Sequence, residues 1–495
     1  MIALQFIAVT AGMLSGAAVM IFSLAQAWLA LRYLRTKNDP SVGPEIPPPW
    51  TGPWPKVLIQ LPIYNERYVV ERLLNCMAAM DYPKDRLSIQ LLDDSSDETA
   101  AIAERTIAQL RAQGIAIDHI RRSDRSGFKA GALDYGMNLN NAEFIAIFDA
   151  DFLPRPDFVK SVLAYFADPN VGMVQTRWEH LNQNYSVITR MMALAIDNHF
   201  SVEHGGRQAI DSFINFNGTG GMWRRKTIED AGGWRSDTLT EDLDLSFRSQ
   251  IKGWKFIFAE NITTPSELPI QMSAVRTQQF RWTKGAAETG RKTLSNLWRS
   301  DANLLTKVVA SFHMLNSFIF LFLFIFALST AALPFLGLAN FMTLAIILNV
   351  MITTAMFATL LTYWISQRAG DFVGEKNSRL NLLYTTITFM ALATGLCAHC
   401  SRAVLQGLFG KATPFVRTPK LNITADNNEL KGKQAYDIQH IPVVVFVELG
   451  LAVLFAGLAV IGLGHPQQIF FGVYAFYAIG FLVVSLLSLR ETATG

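Results

Sequence analysis

The chain has 495 residues, of which 51% are hydrophobic and only 17% charged, which is too apolar for an ordinary soluble protein and too long for a single domain. A net charge of +3, with no basic run interleaved with aromatics, excludes a nucleic-acid surface. The three cysteines, Cys76, Cys397 and Cys400, make no secreted-type framework and fit a reducing compartment; the Cys397/Cys400 CxxC has no second pair and reads as packing.

Residues 1–30 carry no charge, and Arg32, Arg35 and Lys37 follow directly. This stretch is too long for a signal-peptide core and long enough to cross a hydrocarbon layer of about 30 Å. Residues 1–34 are therefore read as a span with its N-terminus outside and its basic end cytoplasmic. A Pro-rich linker, 35–56, leads into 57–272, where apolar runs alternate with amphipathic segments in the pattern of an α/β sheet. The clearest strands are VLIQLPIYNE, SIQLLDDSSDET and EFIAIFDADF. Each ends in polar residues, and in an open doubly wound sheet ligands bind at the carboxyl ends of strands. Tyr64, Asn65, Glu66, Asp93, Asp94, Asp149 and Asp151 are thus expected around one crevice.

The residue types suggest what that crevice handles. Asp149 and Asp151 form a DxD after a hydrophobic strand, a spacing that offers carboxylates to Mg²⁺ or Mn²⁺ and leaves positions for phosphate and water. Such a metal would neutralise charge on a leaving diphosphate. Asp93 and Asp94 suit a base edge or ribose, Tyr64 suits stacking on a base, and Lys129 in GFKAGAL suits a diphosphate. In TEDLDL, Asp242 is the candidate base that takes a proton from an attacking hydroxyl. The plainer roles for these residues are a solvated turn, a surface lysine and helix caps.

Beyond this domain, 273–305 reads as interfacial helices, with RTQQFRWTKGAAETGRK as an amphipathic segment. Residues 306–367 suit two spans joined near 334–340. Residues 380–410 are read as a helix lying in the inner interface, because a sixth span would place Lys411, Arg417, Lys420, Lys431 and Lys433 outside. A loop, 411–438, and two more spans within 441–489, joined by GHPQQ, complete the chain, giving five spans. Glu448 lies inside the fourth, where an ionisable group is costly; contact with a passing glycan and a place near the interface are both open.

Taken together, Asp93 or Asp94, the Asp149/Asp151 pair, Asp242 in TED, and Gln278, Arg281 and Trp282 as QxxRW resemble, in order and spacing, the D, DxD, D, QxxRW signature of processive family 2 glycosyltransferases, the cellulose synthases and their relatives. QLPIYNER, LDDSSD, GFKAGAL, IFDADF, FNGTGGMWR, AGGW and KGWKF look most similar to plant glucomannan synthases, the A group of cellulose-synthase-like proteins, over about 57–300. The resemblance implies a glycosyltransferase-A domain, a Rossmann-like mixed sheet, inserted in an α-helical transmembrane bundle. It implies Asp242 as general base, Asp149 and Asp151 as metal and donor ligands, and Tyr64, Glu66, Asp93, Asp94 and Lys129 on the nucleotide sugar. It implies acceptor contacts from Asn217, Gln278, Arg281 and Trp282. PFVRTPK resembles the FxVTxK gating loop through Phe415, Thr418 and Lys420, with Arg417 in place of valine. The expected reaction is inverting, processive synthesis and translocation of a β-1,4-mannan, glucan or glucomannan from UDP-glucose or GDP-mannose, using Mg²⁺ or Mn²⁺, at a bacterial-type inner membrane. Its partners are the donor, the growing glycan and lipid. The alternatives are a non-processive glycolipid synthase of the ceramide-glucosylating kind and an inactive binding component.

Overall fold

The computed structural model describes residues 2–39, 46–338, 341–369, 379–411, 413, 416–424, 441–463 and 469–493. Seven strands form one sheet: β1 (Val57–Ile63), β2 (Leu87–Asp93), β3 (Ile117–Ile120), β4 (Phe144–Ile147), β5 (Val171–His180), β6 (Gly221–Arg224) and β7 (Lys255–Ser266). Their order is β3-β2-β1-β4-β6-β5-β7. β1 pairs in parallel with β2 and β4, whereas β6 runs antiparallel between β4 and β5. This is the mixed sheet that the resemblance implies.

The central strands are near-continuous apolar runs because both sheet faces are covered. Val57, Ile59 and Leu61 of β1 point into one hydrophobic cluster and Leu58 into another. The helix Val70–Ala78 shows why its sequence docks where it does. Val70, Leu73, Leu74 and Met77 recur at helical spacing and are all buried, each contributing about 1.5–3 kcal/mol by leaving water. The buried polar side chains Gln60 of β1 and Gln90 of β2 are register partners, and Gln60 Nε2 donates to Gln90 Oε1 at 3.3 Å and to the Leu133 carbonyl oxygen at 3.1 Å.

Five helices among the described residues are long and apolar enough to cross a membrane: Ile2–Asn38, Phe318–Phe335, Phe341–Ala369, Val443–Gly462 and Phe471–Glu491. The stretch expected as one in-plane helix is instead two, Leu382–Gly395 and Cys397–Leu408, bent by 52° at Leu396. Cys397 and Cys400 are fully buried there among apolar side chains. The expected GHPQQ turn and most of the 411–438 loop lie outside the described residues.

The first helix is packed onto the sheet domain. Tyr33 is 1% exposed and donates its hydroxyl to Glu260 at 2.5 Å, while Leu29, Ala30 and Tyr33 share a hydrophobic cluster with Val202, Val309 and Ile365. The contact is close because residues 205 and 206 are glycines. A Cβ on Gly205 would stand 2.6 Å from the Tyr33 ring, and one on Gly206 2.6 Å from the Leu29 carbonyl oxygen.

Candidate active site

Three strand ends and one helix start converge on a single cleft. β1 runs into Tyr64 and Glu66, β2 into Asp94, and β4 into Asp149 and Asp151, while the helix Glu241–Ile251 opens with Glu241 and Asp242. The helix Met272–Arg299 adds Gln278, Arg281 and Trp282, and the segment 416–424 adds Arg417, Thr418 and Lys420. These side chains line one cleft that is partly open to solvent.

Both DxD carboxylates hold an ammonium group. Lys129 Nζ donates to Asp149 Oδ1 at 2.5 Å and to the Gly218 carbonyl oxygen at 3.0 Å. Lys420 Nζ donates to Asp151 Oδ2 at 2.8 Å and to the Glu267 carbonyl oxygen at 3.1 Å. Burial works to lower both lysines, yet Asp149 and Glu241 around Lys129, and Asp151 and Glu267 around Lys420, hold them above the ordinary lysine range.

Asp242 faces the same point from the other side. Its Oδ1 accepts a hydrogen bond from Leu243 N at 2.8 Å. Residue 218 has φ +83°, and a Cβ there would stand 2.9 Å from Asp242 Oδ2 and 3.4 Å from Lys129 Nζ, so glycine is required both by the backbone and by the space. Burial, then the like charge of Glu241, pushes the Asp242 carboxyl up to about 7, with Lys129 opposing. That is the range a base needs near neutral pH. The third acid of the motif, Asp244, has a different part: it is buried and paired with Arg248 and Lys292 at 2.8 and 2.9 Å, which fixes the helix start that carries Asp242.

On the nucleotide side, Asp94 is held by Arg122, whose Nε donates to Oδ1 at 3.0 Å and whose Nη2 donates to Oδ2. The Arg125 guanidinium stacks 3.3 Å from the centre of the Tyr64 ring. Glu66 is buried and paired with Arg417 at 2.5 Å. Burial outweighs that partner and pushes the Glu66 carboxyl up to about 8.

One expected site residue falls elsewhere. Asp93 points away from the cleft and is 1% exposed; its carboxylate accepts from Ser95 N at 2.8 Å and pairs with His119 Nε2 at 2.9 Å. Burial alone would raise it, but these hydrogen bonds hold it below the usual carboxylate range. The strand alternation decides this, since only one of two consecutive acids at a strand end can face the ligand. Phe415 lies outside the described residues. Asn217 does line the cleft, but its amide is engaged inward: Oδ1 accepts from His199 and Asn215, and Nδ2 donates to His204. Those histidines stand on the π-helix His199–Gly205.

The sequence reading missed Glu267, Arg122, Arg125 and Arg72. Glu267 follows β7 directly and could have been found by the strand-end argument applied to the other acids. It donates its N–H to Asp151 and accepts from Leu421 N. Arg72 donates to Asn422 at 2.5 Å, so the 416–424 segment is tied to the cleft along its length.

Among the described residues no three metal-binding side chains are grouped. Two neighbouring carboxylates are nonetheless the right donor set for a hard cation whose other positions are filled by diphosphate and water.

Comparison with known proteins agrees with this geometry. A family model described as glycosyltransferase like family 2 matches residues 55–285, and one described as cellulose synthase matches residues 219–420. Probable glucomannan 4-beta-mannosyltransferase 15 of Arabidopsis thaliana is 33% identical over 395 residues, covering 76% of this chain and 69% of the relative. Probable glucomannan 4-beta-mannosyltransferase 7 of Oryza sativa subsp. japonica is 41% identical over 273 residues, 54% of this chain and 46% of the relative, so the chain spans about half of that protein's length. Among solved structures, the mannosyltransferase PcManGT from Pyrobaculum calidifontis, in complex with GDP-Man and Mn²⁺, has a TM-score of 0.55 at 19% identity, over 82% of this chain and 100% of that one, a likeness of fold. With its carboxylates at the strand ends, QxxRW beside them and long apolar helices around, the chain is an integral membrane protein that belongs to family 2 of the glycosyltransferases, within the cellulose synthase superfamily.

Proposed function

We propose that the protein is an inverting, processive mannosyltransferase that extends a β-1,4-linked mannan or glucomannan from GDP-mannose and passes the product through its own spans. The observation that carries the reading is the meeting of Asp94, Asp149, Asp151, Asp242 and Trp282 in one cleft beside the membrane helices. The identity to two plant glucomannan 4-beta-mannosyltransferases supports mannose as the sugar transferred.

In this reading Asp94 and Tyr64 receive the nucleotide, and Arg122 keeps the Asp94 carboxylate aimed. Trp282, 36% exposed at the cleft, offers its ring to the acceptor sugar. The acceptor hydroxyl oxygen attacks the anomeric carbon while its proton passes to Asp242. The bond from that carbon to the nucleoside diphosphate breaks from the opposite side, and the electron pair leaves with the diphosphate. Lys129 and Lys420, already poised at Asp149 and Asp151, meet the growing negative charge. Asp149 and Asp151 would hold Mg²⁺ or Mn²⁺, which when bound supplies Lewis-acid neutralisation of the same diphosphate. In this reading the catalytic domain faces the cytoplasm, the side to which the positive-inside rule assigns Arg32, Arg35 and Lys37 at the end of the first span.

Purified protein in lipid, given labelled GDP-mannose and UDP-glucose in separate reactions with Mn²⁺, tests the reading. A β-mannanase-sensitive polymer from GDP-mannose is expected. A single-sugar lipid product, or incorporation from UDP-glucose alone, would overturn it.

A further inference from the structure

Within the helix Met272–Arg299, Lys284 lies one turn beyond Arg281 and is unusual for a lysine in being 1% exposed. Its ammonium donates to the Lys411 carbonyl oxygen at 2.5 Å and to Thr413 Oγ1 at 2.6 Å, and it stands 3.5 Å from Glu288 Oε1. Lys411 and Thr413 precede in sequence the segment whose Arg417 and Lys420 pair with Glu66 and Asp151. The other oxygen of Glu288 accepts from Leu239 N at 2.8 Å, three residues before Asp242. One buried ion pair thus touches both the loop that leads to Asp242 and the segment that brings Arg417 and Lys420 to the cleft.

The backbone is brought close on both sides at this level of the helix. A Cβ on Gly285 would stand 2.5 Å from Thr240 Cγ2, and a Cβ on Gly407 would stand 2.7 Å from the Lys284 carbonyl oxygen. The base loop and the helix Cys397–Leu408 thereby both lie close against the same turn. A charge placed there, with its donors met by a carbonyl, a hydroxyl and a carboxylate, is oriented rather than mobile, and removing it leaves buried acceptors without a partner.

We infer that Lys284, together with Glu288, is a positioning residue that roots the donor-covering segment and the base loop on the acceptor helix, so that Lys420 reaches the donor diphosphate. The inference rests on the proposed reaction, in which a nucleoside diphosphate occupies the cleft, and it assigns Lys284 no contact with substrate. Because it acts through the cover, its effect must vanish once the cover's own contact is gone.

Titration of GDP and of UDP, each with Mn²⁺, into the full-length protein in detergent supplies the test, run on wild type, Lys284→Met, Lys420→Met and the double variant. Lys284→Met is expected to weaken the preferred nucleotide about tenfold, and the double variant to bind like Lys420→Met to within about twofold, the signature of residues acting in one unit. Lys284→Arg should recover most of the affinity. If Lys284→Met does not fold, Thr413→Val and Glu288→Gln take its place, each expected to weaken binding several-fold and, combined with Lys420→Met, to add nothing. Unchanged affinity in a folded variant, or losses that multiply in the double variant, would overturn the inference while leaving the reaction intact. Failure of wild type to bind either nucleotide would overturn the reaction itself.

Discussion

Replacing Glu448 by leucine isolates the energetics of a charge inside the membrane half. Glu448 is fully buried in the helix Val443–Gly462 and receives Arg276 on both oxygens, with Arg276 Nη1 at 2.9 Å from Oε1. Arg276 Nε also reaches Ser488 Oγ at 3.0 Å, and Glu491 accepts from the N–H groups of Met272 and Ser273 at the start of the same helix. The first turn of the Trp282 helix is therefore held by the last two apolar helices. Glu448→Leu leaves the 4%-exposed Arg276 guanidinium with Ser488 alone, a loss of about 3–5 kcal/mol. At roughly 1 °C per kcal/mol for a chain of this size, the midpoint of a fixed-rate thermal ramp in detergent falls by about 3–5 °C. The double variant Arg276→Met/Glu448→Leu should regain most of that loss, because apolar side chains of similar volume replace such a pair at little cost. A single variant that melts like wild type, or a double variant no more stable than the single one, would refute the account.

Asp242→Asn is expected to lower transfer by about 10²–10⁴-fold while GDP binding, measured by titration, stays near wild type. In wild type, kcat/KM should rise with pH through a limb near 7, where Asp242 loses its proton; the same raised value means that this group favours the folded state at low pH and that its contribution is lost as pH climbs through about 7. Chelation with EDTA should abolish transfer, Mn²⁺ should restore it, and Asp151→Asn should shift the half-saturating Mn²⁺ concentration upward. Gly285→Ala, whose added Cβ would press on Thr240 at 2.5–2.9 Å, should cut kcat about tenfold or more by displacing the base loop, read against an unchanged melting profile.

The parts of the site that are local in sequence were legible beforehand. A hydrophobic run that ends in acids identifies a strand and its ligand end together, and this rule located Tyr64, Glu66, Asp94, Asp149 and Asp151. It did not tell Asp93 from Asp94, because the side facing the cleft depends on pleat phase at the last residue. Partners supplied from far along the chain were invisible. Lys420 meets Asp151 across 269 positions and Arg276 meets Glu448 across 172, and no periodicity encodes such pairs. Glu448 was recognisable as an anomaly in an apolar run, but its counterpart sits in a polar helix where an arginine looks ordinary. The break at Leu396 was hidden as well, since both halves of that stretch are apolar and neither proline nor a run of glycines marks the bend.

The seating of Tyr33 and Leu29 against Gly205 and Gly206 has a practical corollary for anyone wishing to isolate the enzyme's chemistry from the lipid. A fragment beginning after the Pro-rich linker would leave Val202 and Glu260 facing water where an aromatic ring and its hydroxyl had been, beside the π-turn that supports Asn217. The first helix and the sheet domain share a buried contact, which detergent or a nanodisc preserves and truncation at the linker removes.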